Sequence, residues 1–287
     1  MKPTAILKII VDIVMTVLLM LLMAFELVGR SAHEWIGLGM FLLFILHHVL
    51  NRRWSRNLFR GRYTPVRILQ TACAALVLLS MLGSLISAVP ISRVVFSFLP
   101  ISGGLSFGRT LHMLSAYWGF VLLSLHLGLH WNMLLAMIKK ACPSLTTAGP
   151  FSAGMRRFLL RAVGIVIALY GVFAFFRRTI PDYLFLRSHF VFFDFEEPRI
   201  FFFLDYLAIM GLFIFIGHYL MKAALWLQVT VHSSARTSQM SCLHEQMTGS
   251  ERTKGAPVLM SKKSPTAISR SCEAAESAKR GFANGAE

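Results

Sequence analysis

Six long apolar runs, separated by short charged stretches, organise this chain. They cover roughly residues 5–28, 33–51, 66–89, 110–138, 158–177 and 200–228, each close to the ~20 residues a helix needs to cross a hydrocarbon core. The pattern predicts an all-α polytopic membrane bundle of about six transmembrane helices. Beyond about residue 232 the apolar runs stop, and the chain becomes Ser-, Ala- and Lys-rich with almost no aromatics. That composition cannot bury enough surface to fold and predicts a disordered basic tail. Three regions follow: 1–138 with four helices, 139–231 with two more and an intervening loop, and 232–287 as the tail.

Composition agrees. Of the 287 residues 56% are hydrophobic and only 15% charged, against about 25% charged in an ordinary soluble domain. The formal net charge of +16 would suggest nucleic acid in a soluble chain. Here the basic residues fall in loops and tail, so the distribution reads as topology and excludes a nucleic-acid role. The loop "NRRWSRNLFRGRYTPVR" holds six arginines, the stretch 139–161 holds Lys139, Lys140, Arg156, Arg157 and Arg161, and the N-terminus holds Lys2 and Lys8. In a six-helix topology these regions share one side, the cytoplasmic one. Both termini are then inside, and helices 2 and 4 both run from outside to inside. The first run is too long for a cleavable signal and is followed by Glu26 and Arg30, so it reads as a retained anchor. Trp35, Trp54 and Trp131 sit near predicted helix ends as interfacial anchors. Cys73, Cys142, Cys242 and Cys272 form no CxxC pair and no CxxCH haem-attachment motif; Cys73 lies in an apolar run and the other three in segments assigned to the cytoplasm, which argues against structural disulfides.

Imidazoles are costly inside hydrocarbon, yet the runs contain several. Helix 2 carries His33 and His47; helix 4 carries His112 and His126. Each pair is fourteen residues apart, an advance of about 21 Å with a return to within about 40° of the same face. Because the two helices run the same way, His33 meets His112 at one depth and His47 meets His126 at another. Two imidazoles facing each other at matched depth suit axial ligation of a planar macrocycle. The expectation is a four-helix core holding two non-covalent b-type haems.

Neighbouring residues extend this picture. Gly37, Gly39, Gly119 and Gly128 allow either flat rings or another helix to approach. Arg109, one turn before His112, and Arg52 and Arg53, just after His47, are candidate partners for haem propionates. His130 lies one turn beyond His126, and His48 points about 100° from His47. Each could replace its neighbour as ligand, or sit at the inner rim against a propionate, a quinone or water. Glu26 is spaced to pair with Arg30, whereas Asp12 has no obvious partner. Segment 91–107 is expected to form a short interfacial helix and turn. The outer segment 178–199 is dense in Phe and charge, contains His189, and suits a lid or a docking surface.

The segments "HEWIGLGMFLLFILHHVLNRRW" and "HMLSAYWGFVLLSLHLGLHW" resemble the flavinylation-associated cytochromes, a family of bacterial membrane cytochromes b, over roughly residues 5–135. The paired-histidine spacing is also similar to ferric-reductase-like and bc-type cytochrome b proteins. The two further helices and outer loop look like an extension of close relatives. The resemblance implies the ligands His33, His47, His112 and His126, residence in the bacterial cytoplasmic membrane, and electron transfer to an outer flavoprotein. No flavinylation motif occurs in this chain, so a flavin-carrying partner would be a separate protein. Electrons would come from a quinol or a cytoplasmic donor. The rival expectation is a transporter or channel using histidines as a proton or metal path, which calls for ligands at one depth near a broken helix.

Overall fold

The computed structural model describes residues 3–58, 63–101, 103–141 and 153–252. Among these, helix is the only regular structure. In chain order the helices are α1 (Pro3–Met23), α2 (Phe25–Leu50), α3 (Arg52–Asn57), α4 (Pro65–Ile91), α5 (Leu105–Leu129), α6 (Trp131–Ala141), α7 (Ala153–Arg177), α8 (Ile180–Leu184) and α9 (Arg199–Arg252). Six of them, α1, α2, α4, α5, α7 and the Arg199–Thr230 part of α9, are long and apolar enough to cross a membrane. The protein is an all-α, multi-pass membrane bundle. Its outward faces carry residues that only lipid would cover, such as Leu79 and Val166, 67% and 65% exposed.

Local chemistry explains the element ends. Pro65 starts α4 behind the Thr64 cap, whose hydroxyl accepts from the Arg67 amide. Gly103 and Gly104, both with positive φ, turn the chain into α5. The α4–α5 hairpin is close-packed through small residues: Gly83 abuts Ser115, and Gly119 abuts Ser80. The buried hydroxyls of Ser80, Ser87 and Ser124 bond to carbonyls of their own helices. Gly128 of α5 and Gly217 of α9 allow a second close approach, since a Cβ on Gly128 would strike the Ile214 backbone. So α5 sits between α4 and α9, and five spans, with the sixth as far as Ala224, belong to one compact unit, Met1–Ala224. The remaining unit begins at Leu225.

Several expectations need correction. The first two spans are not separated by a loop at 29–32. α1 ends at Met23, Ala24 makes the turn, and α2 starts at Phe25 with one non-helical residue, Gly29 (φ 76°, ψ 164°). That break spoils the i,i+4 register, and no Glu26–Arg30 ion pair forms. The fourth span begins at Leu105 and stops at Leu129, with His130 (φ −97°, ψ 5°) as a non-helical joint before α6. Segment 92–101 forms turns but no helix, because its amides are taken up by a carboxylate from α2, described below. Expected disorder from residue 232 is also wrong for part of the tail: α9 continues to Arg252. No proline and only one glycine, Gly249, interrupts that stretch. Residues 253–287 lie outside the described residues, as do Cys142, Cys272, Arg60 and Arg62, together with the side chain of Cys242. Cys73 is buried as a free thiol, its Sγ 3.8 Å from the Leu122 carbonyl.

A charged cluster joins α7 to α9 at their loop-facing ends. Asp205 is 0% exposed and accepts from Tyr170 Oη at 2.7 Å, Arg178 Nε at 2.6 Å and Arg177 Nη2 at 2.8 Å. Glu197 pairs with the same Arg177 Nη2 and with Arg178 Nη2, each at 2.7 Å. Two acids and two cations in mutual contact make burial tolerable. Arg178, just beyond its span, is partly desolvated, but the two carboxylates outweigh this and hold its guanidinium pKa above the ordinary value.

Candidate functional site

The histidines occupy two layers. In the first, α2 presents His33 and α5 presents His112, with ring centroids 6.1 Å apart and planes at 71°. His112 Nδ1 lies 3.2 Å from the Ser84 carbonyl and 3.1 Å from Ser87 Oγ. The carbonyl can only accept, so Nδ1 carries the proton and Nε2 keeps its lone pair. His33 rests edge-on against Phe25, and its buried Nδ1 has no hydrogen-bond partner among the described residues.

This pair lines a cavity of about 500 Å³, within the ~300–1,000 Å³ usual for cofactor sites. Gly37 and Gly119 face it from the two helices, and Met40, Met81 and Met113 make its walls apolar. Arg30, Arg93 and Arg109 line it as cations, with Glu26 and Glu34 the opposing charges. His189, Phe190, Val191 and Phe193 from the 185–198 loop also line it. The aromatic outer segment therefore borders the cavity. Trp118 Nε1, donating to the Leu184 carbonyl at 3.0 Å, and Tyr117, stacked on Tyr183 at 4.6 Å, hold α8 and that loop to α5.

The second layer gathers Asp12, His47, His48, His126 and His130, which act on one another electrostatically. His47 Nδ1 donates to Asp12 Oδ1 at 2.8 Å, which gives Asp12 the partner that its sequence neighbourhood lacked. Asn51 bridges the same helices, accepting from Lys8 Nζ at 2.9 Å. His48 is exposed, and its Nδ1 donates to the Phe44 carbonyl at 3.0 Å. The rings of His126 and His130 are 4.8 Å apart, and buried His126 Nδ1 has no hydrogen-bond partner among the described residues. Burial lowers the pKa of His130, with Asp12 opposing and His47 adding to the effect, which favours a neutral ring.

Two contributors were not legible in advance. Glu34, next to His33, accepts from Ser92 Oγ at 2.7 Å and from the amides of Arg93, Val94 and Val95 at 2.9–3.0 Å. It ties α2 to the turn that carries Arg93 over the cavity. Asp205 is the other, since its partners come from a helix 27 to 35 residues away. Among the proposed neighbours, Arg109 lines the cavity, whereas Arg52 is exposed on α3. Gly39 faces open space, and Gly128 serves helix packing.

No protein-family model, curated protein or solved structure matches this chain.

Chemistry therefore decides what the layers can hold. Among the described residues no three His, Cys, Asp or Glu side chains converge as a metal-binding group. The first layer instead offers two neighbouring imidazoles in a mostly apolar cavity that three arginines also line. Two imidazole nitrogens each ~2 Å from a shared metal put their ring centres roughly 6 Å apart, close to the 6.1 Å found. Such a donor set fits an iron macrocycle bearing acidic substituents better than a bare ion.

Proposed function

We propose that this protein is a membrane cytochrome b that carries electrons across the bilayer on two non-covalent haems. The observation that carries the reading is that His33 and His112, ring centroids 6.1 Å apart, line the same 500 Å³ cavity. His33 and His112 would hold one haem, and His47 and His126 the other. Haem iron so ligated supplies a one-electron carrier at two depths. The protein's own residues do the rest. Ser84 and Ser87 fix the His112 tautomer, Gly37 and Gly119 leave room for a ring, and Arg30, Arg93 and Arg109 suit propionates. Phe190, Val191 and Phe193 keep water from the cavity.

In the proposed orientation both termini face the cytoplasm of a bacterial cell, and the His33–His112 layer is the outer one. Loop charge supports this. Electrons would pass between a quinol or cytoplasmic donor and an extracytoplasmic acceptor. A separate flavin-carrying protein is the acceptor proposed, on the resemblance of the two histidine segments alone. A quinone beside His130 is the proposed ligand of the inner rim.

A reduced-minus-oxidised absorbance spectrum of the purified chain, with haem counted per polypeptide, tests the reading. Two haems per chain with b-type bands are expected; a flat spectrum from well-folded protein would sink it. The second reading is a proton path through Asp12, His47, His126 and His130, favoured by the joint at His130 beside that cluster. It expects no haem, and proton flux in vesicles that His126→Ala abolishes.

A further inference from the structure

The two contacts between α1 and α2 at the second layer form a matched pair of rungs. Lys8 and Asp12 lie one turn apart on α1; His47 lies on α2, one turn before Asn51, the residue that caps its end. Lys8 Nζ donates to Asn51 Oδ1 at 2.9 Å, and His47 Nδ1 donates to Asp12 Oδ1 at 2.8 Å. The first rung settles the Asn51 amide. Its oxygen is taken by an ammonium, so its nitrogen faces His47, donating to the His47 carbonyl at 3.0 Å and standing 3.4 Å from Nε2. An amide N–H can approach Nε2 only if that nitrogen carries no proton. Both rungs therefore specify the same tautomer, with the proton on Nδ1 and the lone pair on Nε2. The 3.4 Å approach is long for a hydrogen bond, and the amide already has the carbonyl, so the lone pair stays available to a ligand.

We propose that Asp12 is a positioning residue for the inner iron site, orienting His47 and raising its donor strength through the Nδ1–H···Oδ1 bond. This rests on the haem reading above and goes beyond it. A carboxylate behind a ligating imidazole fixes the ring and makes it more basic. A more basic axial ligand favours the oxidised metal, so Asp12 lowers the reduction potential of the inner haem. His112 has neutral partners instead, the Ser84 carbonyl and Ser87 hydroxyl. The two layers thereby differ in potential for a reason built into α1, with the outer haem the more readily reduced.

The test is an optical redox titration of the full-length haem-loaded protein, with His112→Ala used to assign which midpoint belongs to the inner haem. Asp12→Asn keeps the size but not the charge, and is expected to raise the inner midpoint alone. Asp12→Leu should raise it further or remove the inner haem, and Asp12→Glu should restore the wild-type value. An inner midpoint unchanged in both Asp12→Asn and Asp12→Leu, with two haems retained, overturns the role of Asp12 and leaves the cytochrome reading standing. Wild-type protein without haem overturns both.

Discussion

At the scale of single residues, the polar groups inside this bundle sort by the quality of their partners. Asp205 is wholly buried and compensated by two arginines and a tyrosine. Removing one member of such a set leaves the others uncompensated, at about 3 kcal/mol. Asp205→Ala should therefore lower the unfolding midpoint in detergent, while Tyr170→Phe, which removes one neutral donor, should cost only about 1 kcal/mol. The unpartnered Nδ1 atoms of His33 and His126 are the opposite case. A buried polar atom without a partner calls for a reason, and on the cytochrome reading ligation at the other nitrogen would supply one. Accordingly, His33→Ala or His112→Ala should remove one haem per chain, read from the pyridine haemochrome, and leave the second. Loss of both would argue against independent layers.

At the scale of elements, the bundle is held by close approaches between helices and by one carboxylate clamp. Gly128 and Gly217 let α5 and α9 touch backbone to backbone. Gly128→Val must push them apart, and overpacking of this kind costs roughly 1–3 kcal/mol, which a thermal shift measurement would register. Because Gly128 is two residues from His126, the inner haem should be lost before the outer one as temperature rises in that variant. The clamp at Glu34 works across three elements, holding the turn after α4 to α2 through four hydrogen bonds. Glu34→Ala frees Ser92 and three amides at once. It should cost about 2 kcal/mol and raise proteolysis of the 92–101 turn; an unchanged cleavage rate would show that the turn is held by other contacts.

At the scale of the whole molecule, the question is which way the bundle sits. With both termini inside, a cysteine placed at Ser188 in the 185–198 loop should react with a membrane-impermeant maleimide in intact cells. One at Ser55 in α3 should react only after lysis. Labelling of Ser55 alone in intact cells would invert the topology and exchange the inner and outer layers. Cys73 is buried and should stay silent in both.

The six-span architecture was legible in the chain because the bilayer imposes one rule on every span, namely enough apolar residues in a row. The pairing of His33 with His112 was legible for a related reason: helical pitch converts a fourteen-residue spacing into depth and face without reference to the rest of the fold. The sequence could not reveal what depends on a neighbour brought from elsewhere. Asp12 looked solitary until α1 lay beside His47. Glu34 has its partners in the turn after α4, and Asp205 has its cations at the end of α7 and just beyond it. The ends of the helices at Met23, Gly29 and His130 also belong to the folded state, since apolar composition runs straight through them. Local composition and period determined which segments span and which imidazoles share a depth. Only tertiary structure decided which polar side chains satisfy one another, because in a membrane each must find a partner within the protein, and that partner is set by packing rather than by sequence distance.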